Sequence, residues 1–278
     1  MSRYLSAVCQ MDSQDNKQAN LKAAGELIAE AAAKGAQLAV LPETMTYMGH
    51  DLTAQAEEIP GETSAFLCEE ARRYGIWIAG GSFPETVPGG LPKNTMLLIG
   101  PDGKIRSSYS KIHMFDVDIA GGVSYRESDM YTPGSEITVT QTELGGIGMA
   151  ICYDIRFGEM FRLMALRGAQ LICVPASFTL ESGKDHWETL LRARAIENGV
   201  YILAGDQAGI KTSMHAYGNS MIIDPWGRVI ARSGEVPGVI LAEIDTEYVS
   251  SVRRQIPSLK NRREDVYRLT GNLREREM

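Results

Sequence analysis

The sequence predicts an α/β layered fold built on mixed β-sheets, and three observations carry that prediction. Apolar, β-rich runs alternate with amphipathic helical stretches along most of the chain. Two strand-turn-strand units, around PDGK and PWGR, interrupt the alternation and disfavour a purely parallel, doubly wound sheet. Helix and strand units ending in such a pair occur once in each half, which suits two similar sheets packed face to face. No Pro- or Ser-rich linker separates the halves, so residues 1–278 read as a single domain with a charged tail from about residue 261.

The elements follow in order. From Asn20 to Lys34, Leu21, Ala24, Leu27, Ile28 and Ala31 recur at the spacing of one helical face. QLAVLP (Gln37 to Pro42) is a short apolar run and reads as a buried strand. A helix from Ser64 to Tyr74 leads into the strand IWIAGG, Ile76 to Gly81. MLLIG and IRSSYS then pair as a hairpin across Pro101-Asp102-Gly103, whose residue types favour a turn. The stretch from Ala120 to Ser135 is Gly-rich and is expected to be looser. Order resumes with the strand Ile147 to Ile151, a helix through Ala165, the strand Leu171 to Pro175, a helix from His186 to Ile196, and the strand Val200 to Gly205. SMIID, PWGR and VIARS make the second strand-turn-strand unit, and GVILAEI closes the sheet.

Composition narrows the function. With 44% hydrophobic and 23% charged residues in 278, the chain is an ordinary globular protein able to bury a large core. Net charge is -7, and the one basic cluster (Arg253, Arg254, Lys260, Arg262, Arg263) has acids close behind it, so no nucleic-acid partner is expected. No run approaches the roughly 18 uncharged apolar residues of a membrane helix. The N-terminus turns polar too soon for a secretory signal, so neither membrane association nor export is expected and a cytoplasmic location is. Cys9, Cys68, Cys152 and Cys173 are far apart, without a CxxC pair or a histidine at ligand spacing; neither a disulfide framework, a metal site nor a cofactor is implied. GxSxG, the P-loop pattern and HExxH are absent, and GGIG before Met149 is a strand start.

Chemistry concentrates in GGIGMAICYDIRFGEMFRLMALRGAQ. An apolar strand ends at Cys152 and helical spacing resumes at Phe157, Phe161, Met164 and Ala165, so Cys152 falls on a strand-to-helix turn. A thiol there projects from the sheet edge. The N–H groups opening the helix, above all that of Tyr153, can bind an oxyanion, and the helix dipole is expected to favour thiolate. The bland alternative is a small buried hydrophobe. None of His50, His113, His186 or His215 is singled out as a partner base. Two other ionisable residues stand just beyond strands: Glu43 in LPET and Lys111 in SKIHMFD.

Glu in LPET, Lys in SKIHMFD and Cys in ICYDIRF, in that order, resemble the three signature segments of the nitrilase superfamily of carbon-nitrogen hydrolases. The resemblance extends to YRESDMYTPG, HWETLLRARAIENGVYILAG and YGNSMIIDPWGRVIARSG, and CYDIRF with DPWG is similar to the Nit amidase branch of ω-amidases and deaminated-glutathione amidases. The resemblance implies a nitrilase-like αββα sandwich, a homodimer or larger homo-oligomer, and hydrolysis of an amide through a Cys thioester. Carried over, Cys152 is the nucleophile, Glu43 the proton acceptor, and Lys111 the proton donor and oxyanion stabiliser, with the Tyr153 N–H as second donor. Glu127 in YRES matches an auxiliary glutamate, with a structural salt bridge as its alternative. Gly158 departs from the branch pattern, where Pro or Ala is common. Asp154 and Arg156 are expected to form a supporting ion pair, Arg156 alternatively meeting a substrate carboxylate; Tyr47 and Phe178 are expected as pocket walls. A nitrilase, an N-carbamoyl amine hydrolase and a non-catalytic scaffold keeping the fold are the competing functions.

Overall fold

The computed structural model describes residues 2–118 and 124–276. In chain order the strands are β1 (Arg3–Gln10), β2 (Ala36–Val40), β3 (Trp77–Ala79), β4 (Phe83–Glu85), β5 (Lys93–Ile99), β6 (Ile105–Ser110), β7 (Asp116–Asp118), β8 (Ser124–Arg126), β9 (Ile137–Thr142), β10 (Gly145–Met149), β11 (Ala169–Ala176), β12 (Tyr201–Asp206), β13 (Ala208–Ile210), β14 (His215–Tyr217), β15 (Met221–Ile223), β16 (Val229–Arg232), β17 (Gly238–Asp245) and β18 (Leu273–Arg276). The helices are α1 (Lys17–Ala33), α2 (Glu62–Tyr74), α3 (Gly158–Leu166), the single turn α4 (Leu180–Ser182), α5 (Glu188–Asn198) and α6 (Thr246–Gln255).

Among the described residues the strands build two seven-stranded sheets and two small ribbons. In the first sheet β1, β2 and β3 run parallel, while β17, β5, β4 and β6 join antiparallel. The second has parallel β10, β11 and β12, with β9, β15 and β16 added antiparallel. Both sheets are therefore mixed, as expected. Period-two alternation makes the layers. Val8, Leu38, Val40 and Trp77 turn from the first sheet toward Ile147, Met149 and Leu203 of the second, whereas Ala7, Cys9, Ala39 and Ile78 face Leu21, Ala24, Ile28 and Leu67 of α1 and α2. Phe161, Met164, Leu191 and Ala195 of α3 and α5 cover the far side of the second sheet. The result is the αββα sandwich.

Local chemistry places the turns. The first hairpin pairs Met96 with Tyr109, and Gly103 takes φ 76°, a conformation glycine adopts at no steric cost. Gly227 does the same at φ 86° between β15 and β16. Helix α1 is capped by Asn16, whose side chain accepts from Ala19 N–H, and α2 ends on Gly75 at φ 64°.

Several elements depart from expectation. The strand GVILAEI leaves its own half and pairs with β1, Arg3 opposite Asp245. Strands β1 and β9 and helix α6 carried no expectation. Of the Gly-rich stretch, residues 120–123 lie outside the described residues; from Ser124 it forms the ribbon β7–β8 and the turn bearing Glu127. The charged tail returns to the fold as β18, parallel to β9.

Candidate active site

Three strand exits converge at one end of the sandwich. Glu43 lies three residues past β2 on a turn locked from both sheets: its N–H donates to the Ala176 carbonyl (3.3 Å) and its carbonyl accepts from Gln207 Nε2 (2.9 Å). Thr44 takes φ 49° and Cys152 φ 46°. Left-handed backbone at a non-glycine residue costs about 1–3 kcal/mol, so the surrounding bonds hold both turns against their preference. For Thr44 these include its N–H to Ser82 Oγ (3.1 Å) and the Met45 N–H to the Ser82 carbonyl (3.0 Å).

The buried side chains form a dense charged cluster. Lys111 Nζ donates to Glu43 Oε1 (3.0 Å) and to both oxygens of Glu127 (2.9 and 2.8 Å). Asn94 Nδ2 also donates to Glu43 Oε1 (2.9 Å), and the Ser177 N–H donates to Glu43 Oε2 (2.9 Å). Glu127 Oε2 further accepts the Phe115 N–H (2.6 Å). Burial works against the Lys111 charge, but Glu127, Glu43 and the nearby Cys152 hold the ammonium well above the ordinary lysine range. Burial, partly opposed by Lys111, lifts the Glu127 carboxyl above its usual value.

Cys152 is 8% exposed and sits beside Glu43, Lys111 and the Ser177 N–H. It opens a 3-10 turn, Cys152–Arg156, while α3 starts only at Gly158. The expectation that a helix dipole favours thiolate is therefore corrected. Burial first, then the Glu43 carboxylate, push the thiol well above its ordinary value, with Lys111 and the Ser177 N–H acting in the opposite sense. Both causes favour the protonated thiol, and the Glu43 carboxyl group lies beside it. Tyr153 follows on the same turn, where opening N–H groups lack an intrahelical acceptor.

A pocket of about 180 Å³ opens onto this cluster, lined by Glu43, Lys111, Cys152 and Glu127 and by Met48, Leu52, Phe115, Tyr125, Tyr131 and Phe178. Thr179, Ser182, Ser213 and Met214 from α4 and the β13–β14 connection complete it, and Glu181, exposed, also borders it. The sequence-predicted Glu43, Lys111, Cys152, Glu127, Tyr153 and Phe178 thus come together. Tyr47 does not line the pocket: its ring folds over Gly49, leaving Met48 and Leu52 as the walls on that side. The expected Asp154–Arg156 ion pair is absent. Asp154 is fully buried and taken up by Tyr109, His113 and the Ile151 N–H. The Arg156 guanidinium lies over the rings of Tyr153 and Phe178, 5.5 Å from each centroid, 3.3 Å from His186 Nδ1. Gly158 begins α3 beneath the Arg194–Glu197 ion pair, away from the reacting groups. Asn94, Ser177 and Gln207 went unforeseen; each acts on Glu43 from a separate strand end, and no local pattern marks them.

A family model described as carbon-nitrogen hydrolase matches residues 5–254. The chain is 40% identical over 270 residues to a zebrafish (Danio rerio) protein named omega-amidase NIT2, covering 96% of this chain and 97% of that one. It is 42% identical over 269 residues to a Synechocystis protein named deaminated glutathione amidase, covering 94% and 99%. Among solved structures, the C. elegans NitFhit protein superimposes with a TM-score of 0.89 at 37% identity, covering 100% of this chain and 69% of that one.

Proposed function

The chain belongs to the carbon-nitrogen hydrolase family and is a hydrolase of C–N bonds other than peptide bonds; on that premise we propose that it converts the terminal carboxamide of a small carboxylic acid to the acid and ammonia, the acid being of the 2-oxoglutaramate or deaminated-glutathione kind. The observation that carries this is the buried contact of Glu43 with Lys111 (3.0 Å) beside the Cys152 thiol at a pocket of small-molecule size.

As the Cys152 sulfur attacks the carbonyl carbon, its proton passes to Glu43 and the carbonyl oxygen becomes an oxyanion held by Lys111 and the Tyr153 N–H. The C–N bond then breaks, Glu43 returns the proton to the leaving nitrogen, and ammonia departs from a thioester. Water, deprotonated by Glu43, adds to that thioester; the C–S bond breaks and the thiol regains its proton. One carboxylate serves both half-reactions, so no histidine is needed as a base. Glu127 keeps Lys111 charged and in place. For the substrate carboxylate we assign Arg156, which is unpaired with Asp154 and, though not itself lining the pocket, lies over two of its walls, Tyr153 and Phe178. The chain is taken to work as one domain and as a homodimer or larger assembly in the cytoplasm, without nucleic acid. Exposed Ile196, Trp226 and Ile230 supply apolar surface for pairing, and no described helix is long and apolar enough to cross a membrane.

Ammonia release from glutaramate-like and succinamate-like amides, beside nitriles and N-carbamoyl amines, tests the reading with Cys152→Ala as control. Amides should be the substrates, and the control should be inactive. More than about one per cent residual turnover in Cys152→Ala would overturn covalent catalysis, because loss of a nucleophile costs several powers of ten.

A further inference from the structure

Lys111 and Cys152 come from different sheets, just after β6 and just after β10, and something must fix their separation. Asp154 stands between them and is 0% exposed. Its Oδ2 accepts the Tyr109 hydroxyl (2.6 Å) and the Ile151 N–H (2.8 Å), and its Oδ1 accepts the His113 N–H (3.2 Å) and faces His113 Nδ1 at 2.7 Å. A contact that short between a ring nitrogen and a buried carboxylate places the ring proton on Nδ1. Tyr109 and His113 are the residues two before and two after Lys111, the first in β6 and the second on the bend that follows it. Ile151 and Asp154 are the residues one before and two after Cys152. The His113 ring is further clamped on Phe157, centroids 3.6 Å apart and planes at 7°.

We infer that Asp154 is a positioning residue: its single carboxylate ties both flanks of Lys111 to both flanks of Cys152 and so sets the distance between ammonium and thiol. The inference rests on the assignment of these two groups to the reaction. It explains why the Asp154 carboxylate is turned away from Arg156, and it gives His113 and Tyr109, which do not line the pocket at Cys152, a part in the site. Burial and the adjacent Asp154 also hold the Tyr109 hydroxyl protonated, which keeps it a donor in this strap.

The test is steady-state hydrolysis of an amide substrate by Asp154→Asn, Tyr109→Phe and their double variant, with thermal melting to verify folding. An amide cannot accept on both sides, so Asp154→Asn must release one flank. A displacement of about 1 Å between reacting groups costs on the order of 100-fold, so kcat should fall by about that factor while KM stays within about threefold. Tyr109→Phe should lose about tenfold in kcat. The double variant should be no worse than Asp154→Asn, because both act through one carboxylate. Independent, multiplying losses would overturn the inference, as would a folded Asp154→Asn protein with kcat within about threefold of the parent. Should Asp154→Asn not fold, full kcat in folded Tyr109→Phe would overturn it equally. Undiminished turnover in Cys152→Ala would instead remove the catalytic assignment itself, whatever the strap variants do.

Discussion

Replacing Glu43 by glutamine should move turnover and thiol reactivity in opposite directions. The carboxylate now accepts from Asn94 and Lys111 on Oε1 and from the Ser177 N–H on Oε2. A glutamine retains most of this by placing its carbonyl at Oε1, where two donors wait; its amide then faces the Ser177 N–H, and one buried donor is left unpaired at a cost of about 1–3 kcal/mol. That loss is tolerable for a protein of this size. The catalytic loss is far larger, since a positioned base contributes about 10²–10⁴ to a step and here serves two. Turnover in ammonia release should therefore drop by at least about 10³. Alkylation should respond otherwise. Glu43 is the second cause, after burial, of the high thiol pKa, whereas Lys111 lowers it. Removing the carboxylate leaves the cation beside the sulfur, so thiolate becomes more abundant at neutral pH and iodoacetamide should modify Cys152 faster than in the parent. Because Cys68 is the more accessible thiol, the comparison belongs in a Cys68→Ser background, with adducts mapped by mass. Slower alkylation of a folded Glu43→Gln protein would show that the carboxylate does not face the thiol as described, and turnover above about one per cent would exclude it as the base.

Lys111→Met should be as inactive as Glu43→Gln yet differ from it in product binding: the first leaves carboxylates at the site and the second a cation. Calorimetric titration with the acid product should find tighter binding to Glu43→Gln, and the reverse order would mean the two residues do not share one site. In the parent, Cys152 alkylation should keep rising with pH beyond the range of an ordinary cysteine, because burial and Glu43 favour the protonated thiol; a plateau already at neutral pH would refute that sign. Turnover should survive EDTA, since the oxyanion is met by an ammonium and N–H groups; loss on chelation restored by added metal would sink the scheme.

Much of the chemistry was legible because it is local. Glu43, Lys111 and Cys152 each follow a strand within three residues, so each could be recognised as an ionisable group at a strand exit, and their motifs named the family. Turn residues did the same for both hairpins: Gly103 and Gly227 occupy positive φ within the units read from PDGK and PWGR. What tertiary structure alone decided is partnership. Asp154 was expected to pair with Arg156, two positions away. Burial instead withdrew its carboxylate from solvent, where it had to be saturated by donors, and those nearest were Tyr109 and His113, 45 and 41 residues distant. The same holds for Tyr47 and Met48. Adjacent in sequence and both apolar enough for a wall, they part in space: the Thr44 and Ser177 hydroxyls hold the Met48 sulfur at the pocket, while the Tyr47 ring lies over Gly49. The thiol followed a similar course: its place on a turn could be read from hydrophobic periodicity, but its protonation depended on how deeply the two sheets enclose it and on a carboxylate delivered from the other sheet, a balance of burial and charge that no single segment contains.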